Sequence, residues 1–249
     1  MIIAVSLKSM LPVALVVALA ACGSRETQEK ASGQTATEST ATQSQPTREP
    51  PAQAPSTQES DTRPVIVAFG DSLSAGFGVE PGKSFPDDLQ GLLNAAGYRY
   101  RVANLGVSGD TTTDGLERLP SVLALHPAVV ILEFGGNDGL RGLPVVSAGK
   151  NLAEIVEALR KDHAQILLAG MTLPRNYGPE YIQSFEQMYL DLAKKYKLAR
   201  IPFLLEGVGG HPDLMQADGI HPTAEGAGIV AHNVMNYLQP MLDGRSGKN

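Results

Sequence analysis

Four short groups of small and polar residues carry the side chains that acyl transfer needs. Gly70-Asp71-Ser72-Leu73 sets a hydroxyl just past an apolar run, and Asp218-Gly219-Ile220-His221-Pro222 pairs a carboxylate with an imidazole three residues on. Gly135-Gly136-Asn137-Asp138 offers the side-chain amide of Asn137. The stretch Gly106 to Thr112 contains Gly109, whose backbone N–H a substrate oxygen can approach closely for want of a side chain. Such chemistry requires a nucleophile, a base to take its proton, a group that orients the base, and donors for the tetrahedral oxyanion. Ser72, His221, Asp218 and the pair Gly109 and Asn137 fit those roles in turn. Each also has a plainer reading: Ser72 as a helix N-cap or turn serine, Asp218 as a capping aspartate beside a surface histidine, Gly109 and Asn137 as turn formers. Asp71 and Asp110 read as turn stabilisers. Arg141 is either a contact for a polar part of a substrate or a surface residue. His126, His163, His211 and His232 read as solvent-facing or structural.

The weight lies in where the four groups fall. Val65-Ile66-Val67-Ala68-Phe69 is a wholly apolar, β-branched run of the kind buried on both faces of a sheet. Arg101 to Leu105, Ala128 to Phe134, Gln165 to Ala169 and Ile201 to Leu205 are four more strands of this type. Helical patterns alternate with them over Phe85 to Ala96, Thr113 to Leu125, Val146 to Lys161, Tyr181 to Tyr196 and Thr223 to Leu238. Strict alternation predicts an α/β fold, a three-layer α/β/α sandwich around a five-stranded parallel sheet, because parallel strands need right-handed crossovers. Ligands in such folds bind beyond the carboxyl ends of the strands. All four groups follow predicted strands, the last after a longer loop, and so converge on one edge of the sheet.

Composition narrows the class further. The formal charge is -6 with no clustering of Lys or Arg, which excludes a nucleic-acid partner. Cys22 is the only cysteine, so neither a disulfide framework nor a multi-Cys metal site is available; no metal or cofactor is expected. Residues 1–21 read as a signal: a short segment with one lysine, an apolar run from Met10 to Ala18, and Leu19-Ala20-Ala21 before Cys22. The pattern resembles a bacterial lipoprotein signal, which implies lipidation of Cys22; an ordinary cleaved signal with a chance cysteine is the alternative. Residues 22–62, rich in Ser, Thr, Gln and Pro, read as a disordered tether reaching about 35 Å. Residues 63–249 then form one domain, held at the bacterial cell envelope by a lipid anchor, with the outer membrane and a periplasm-facing position expected. Oligomeric state is not written in the sequence.

The four groups also resemble, in order and spacing, the blocks of the GDSL or SGNH hydrolases. Gly70 to Leu73 resembles the first block, Asn104 to Gly115 the second, Gly135 to Asp138 with Leu140-Arg141-Gly142 the third, and Asp218 to Pro222 the last. Pro174-Arg175-Asn176-Tyr177-Gly178 adds a match outside these blocks. Within the family the chain looks most like bacterial arylesterases and periplasmic thioesterase/lysophospholipases. The resemblance implies a flavodoxin-like sheet, Ser72 as nucleophile, Asp218 and His221 completing a triad, and an oxyanion hole from the Ser72 and Gly109 N–H groups with the Asn137 amide. It implies a serine esterase acting through an acyl-enzyme on small aryl or alkyl esters, thioesters or lysophospholipids. Carbohydrate deacetylases and acyltransferases use the same fold and remain alternatives, as does a non-catalytic envelope-binding lipoprotein.

Overall fold

The computed structural model describes residues 61–244. The signal, Cys22 and nearly all of the tether expected from the sequence lie outside the described residues. Five strands, β1 (Val65–Gly70), β2 (Arg101–Asn104), β3 (Val129–Glu133), β4 (Gln165–Ala169) and β5 (Ala199–Ile201), form one sheet in the order β2-β1-β3-β4-β5, every pairing parallel. This is the fold class expected from the alternation of strand and helix. The central strands β1 and β3 are buried at every position, as their unbroken apolar runs require, while the edge strand β2 is partly open.

Among the described residues seven α-helices flank the sheet: α1 (Ser72–Ala75), α2 (Phe85–Ala95), α3 (Thr112–Leu123), α4 (Gly136–Leu140), α5 (Val145–Lys161), α6 (Pro179–Tyr196) and α7 (Ala224–Asp243). α2 packs against α7, and α5 packs between α3 and α6, giving the outer two layers. Local chemistry sets their starts. Thr111 caps α3 reciprocally with Asp114, whose carboxylate accepts the Thr111 N–H at 2.8 Å, and Thr223 accepts the Gly226 N–H at the start of α7.

Two features depart from the sequence expectation. The fifth strand is displaced toward the N-terminus, ending at Ile201 rather than running to Leu205. Pro202 has no N–H to give the ladder, and the chain turns there, with Leu204 N–H bonding back to the Gly170 carbonyl. The second is a pair of one-turn helices, α1 and α4, placed directly after β1 and β3. The strand order reverses direction between these two strands, so the crevice between them is the place where this topology leaves room for a ligand.

Candidate active site

Ser72 is the first residue of α1, and the cap is its neighbour: Asp71 Oδ1 accepts the Leu73 N–H at 3.1 Å. Since Asp71 does the capping, the Ser72 hydroxyl is left for another partner. Its Oγ lies 2.8 Å from His221 Nε2. His221 Nδ1 in turn lies 2.7 Å from Asp218 Oδ2, while Asp218 Oδ1 accepts the Ile220 and His221 N–H groups at 2.9 and 3.0 Å. Partial burial pushes the Asp218 carboxyl up, but these hydrogen bonds outweigh it and hold the group down at about 2. A carboxylate on Nδ1 makes Nε2 the basic nitrogen, the one that faces Ser72.

The loop carrying this pair is held at both ends. Met215 and Pro222 form an antiparallel bridge, and Gln216 N–H donates to the His221 carbonyl at 2.7 Å. The Gln216 side-chain amide donates to the carbonyls of Phe77 and Pro222, tying the histidine loop to the segment after α1. Phe77 lays its ring over the imidazole, with centroids 4.6 Å apart. Beside Ser72 and His221 a shallow depression is lined by Phe77, Val79, Phe85, Leu205, Pro222 and Val230.

Of the expected oxyanion donors, the Asn137 amide reaches the Ser72 turn through Asp71. As the first residue of α1, Ser72 has an N–H without an intrahelical acceptor. Gly109 has φ +89°, and a Cβ built there would meet only Arg141 Nη2, at 3.8 Å. Glycine is needed here for its left-handed backbone rather than for clearance. Arg141 donates to the Gly109 carbonyl at 2.8 Å, so the arginine braces the loop. The Asn137 amide is more heavily engaged than the sequence suggested: Nδ2 donates to Asp71 Oδ2 at 3.0 Å and to the Asp110 carbonyl at 2.9 Å.

Several residues that sequence reasoning passed over support the site. Arg118 pairs with Asp110 at 2.6 Å, donates to the carbonyls of Leu105 and Gly70, and lies over the Phe69 ring, stitching together the ends of β1 and β2. Asp138 accepts both the N–H and the hydroxyl of Thr112 at the start of α3. Glu133, the last residue of β3, is buried beneath Ser72, where Oε2 accepts the Asp71 N–H at 3.1 Å and the Ser74 hydroxyl at 2.8 Å. Burial pushes the Glu133 carboxyl well above the ordinary range, and the Asp71 charge adds to the shift. Asp71, equally buried, is raised to about 6. Among the described residues no cluster of three or more His, Cys, Asp or Glu is placed to hold a metal ion.

Residues 68–229 match the model of the GDSL-like Lipase/Acylhydrolase family. The chain belongs to this family. It is similar to the esterase TesA of Pseudomonas aeruginosa, with 45% identity over 178 residues, 71% of this chain and 89% of the relative. It is also similar to thioesterase 1/protease 1/lysophospholipase L1 of Escherichia coli, with 37% identity across 72% of this chain and 85% of the relative. The crystal structure of TesA superposes with a TM-score of 0.70 at 45% identity, covering 72% of this chain and 99% of that one. As a GDSL-like acylhydrolase, the chain is a carboxylic ester hydrolase with the five-stranded parallel sheet of its structural neighbours.

Proposed function

We propose that this protein is a serine esterase in which Ser72, His221 and Asp218 act as a triad. The observation that carries this reading is the unbroken line of hydrogen bonds from Asp218 Oδ2 through the imidazole to Ser72 Oγ, 2.7 and 2.8 Å long. His221 Nε2 takes the hydroxyl proton as Oγ attacks the acyl carbonyl, and Asp218 stabilises the imidazolium that forms. The Ser72 and Gly109 N–H groups and the Asn137 amide receive the oxyanion, Asn137 releasing the Asp110 carbonyl to do so. Collapse expels the alcohol or thiol with the proton from His221, leaving an acyl-serine. Water, deprotonated by the same imidazole, then frees the acid.

Aryl and alkyl esters of short to medium acids are the expected substrates, with thioesters and lysophospholipids as further members. The names of the P. aeruginosa and E. coli relatives, which include esterase, thioesterase and lysophospholipase, support that range. Hydrolysis of a p-nitrophenyl ester by wild type and Ser72→Ala tests the assignment: the variant is expected to lose at least about 1,000-fold in kcat. Undiminished turnover would place the nucleophile elsewhere.

The domain boundaries and location expected from the sequence belong to the same proposal: residues 1–21 a signal, Cys22 a lipidated terminus, 22–62 a tether and 63–249 the hydrolase, anchored at the cell envelope. Mass spectrometry of the protein from a bacterial host should find diacylglyceryl-modified Cys22 at the mature N-terminus. An unmodified start at another residue would end that part of the account.

A further inference from the structure

Two carboxyl groups meet under the turn of Ser72. Glu133 is 1% exposed and Asp71 2%. The Glu133 carboxyl accepts from the Asp71 N–H at 3.1 Å and from the Ser74 hydroxyl at 2.8 Å. Asp71 accepts from Leu73 N–H with one oxygen and from Asn137 Nδ2 with the other. Among the described residues no lysine or arginine is paired with either; Arg118, at the same strand ends, is committed to Asp110 and to backbone carbonyls. Two neighbouring carboxyls, both shielded from water and joined through the Asp71 N–H, strongly disfavour a second charge, so one of them keeps its proton. Glu133 also lies close enough to the turn to require a glycine there: a Cβ on Gly70 would meet Glu133 Oε2 at 2.2 Å.

We propose that Glu133, as a neutral carboxylic acid donating to the Asp71 carboxylate, is a positioning residue that binds the Ser72 turn and the Asn137 side chain into one rigid unit. Through its acceptor oxygen it holds the Asp71 N–H and Ser74, and so the one-turn helix that presents Ser72. Through its proton it fixes the Asp71 carboxylate, whose second oxygen restrains the Asn137 amide. Burial raises both carboxyls, and the proton sits on Glu133 rather than Asp71 because the Leu73 N–H, the Asn137 amide and the charge of His221 favour the ionised form of Asp71. The proposal rests on the roles assigned above to Ser72 and Asn137, but the location of the proton does not.

Glu133→Gln keeps an acceptor oxygen and a neutral donor; Glu133→Met keeps the volume and neither. Glu133→Gln is expected to retain kcat within about 5-fold of wild type, and Glu133→Met to lose about 50-fold or more with KM changed less than about 2-fold. In an Asn137→Ala background the Met substitution should cost only a few-fold, since the group it acts through is gone. Equal activity of the Gln and Met variants, or a Gln variant as poor as Met, would overturn the proposal. Should Glu133→Met fail to fold, the infrared spectrum decides. A protonated-carboxyl band at pH 8 in wild type, lost in Glu133→Gln, is expected, and its absence from wild type would refute the neutral acid. A fully active Ser72→Ala would sink the functional reading while leaving that band untouched.

Discussion

The ring of Phe77 lies 4.6 Å from that of His221, tilted by 42°, although half of its own surface faces solvent. A large aromatic side chain left this open has a reason to be where it is. It restrains the imidazole in the orientation that faces Ser72 and covers one side of it. An aromatic pair is worth about 1 kcal/mol beyond its buried area, so Phe77→Ala should lower kcat/KM for a small acetyl ester by roughly 5-fold. Steady-state kinetics of the purified variant, with circular dichroism to show an unchanged fold, check this. An unaltered rate would make Phe77 irrelevant to the base.

Asp218 bears on both rate and stability. In the proposed triad Asp218→Asn keeps the shape but removes the charge that would stabilise the imidazolium, and kcat should fall by about 100- to 10,000-fold. Its carboxyl is held at about 2 in the folded protein, below the ordinary aspartate value. The unfolded chain therefore binds a proton at higher pH than the folded one, and the stabilisation is present above the ordinary value and lost as pH falls toward 2. Urea midpoints measured from pH 5 down to pH 2.5 should drop less steeply in Asp218→Asn than in wild type.

Glu133 gives the opposite slope. Its folded carboxyl is raised well above the ordinary glutamate value, so the folded state keeps a proton that the unfolded chain releases. That contribution is complete at low pH and is lost as pH rises past the unfolded value toward the folded one. Wild-type Tm should decline between pH 5 and pH 8 by more than that of Glu133→Gln, which cannot ionise. Parallel Tm profiles would mean that Glu133 is charged in the fold.

Asn137 donates to Asp71 and Asp110 at rest, so in the proposed mechanism it would bind the oxyanion only as charge develops. Asn137→Ala should lower kcat by about 100- to 1,000-fold while leaving KM nearly unchanged. A rise in KM at constant kcat would instead make the amide a ground-state contact.

The sheet and the positions of Ser72, Gly109, Asn137, Asp218 and His221 at its edge were readable because strand ends are marked by apolar runs that stop at glycine or polar residues. What could not be read were features set by distant contacts. Glu133 sits at the end of an apolar run, and its partner Asp71 lies 62 residues earlier, brought near only by the pairing of β1 with β3. Arg118 looks like any polar residue on a helix. The helices α1 and α4 are too short to show a period, and β5 moved because Pro202 closes the ladder one residue after Ile201. That Asp71, not Ser72, caps α1 follows from side-chain geometry that no spacing encodes.

The most direct measurement is covalent capture of the nucleophile. Incubation with a fluorophosphonate, followed by peptide mass spectrometry, should find one phosphonyl adduct, on Ser72, formed in step with loss of esterase activity and absent from Ser72→Ala. An adduct on a different residue, or full esterase activity in a protein labelled to completion at Ser72, would contradict the account.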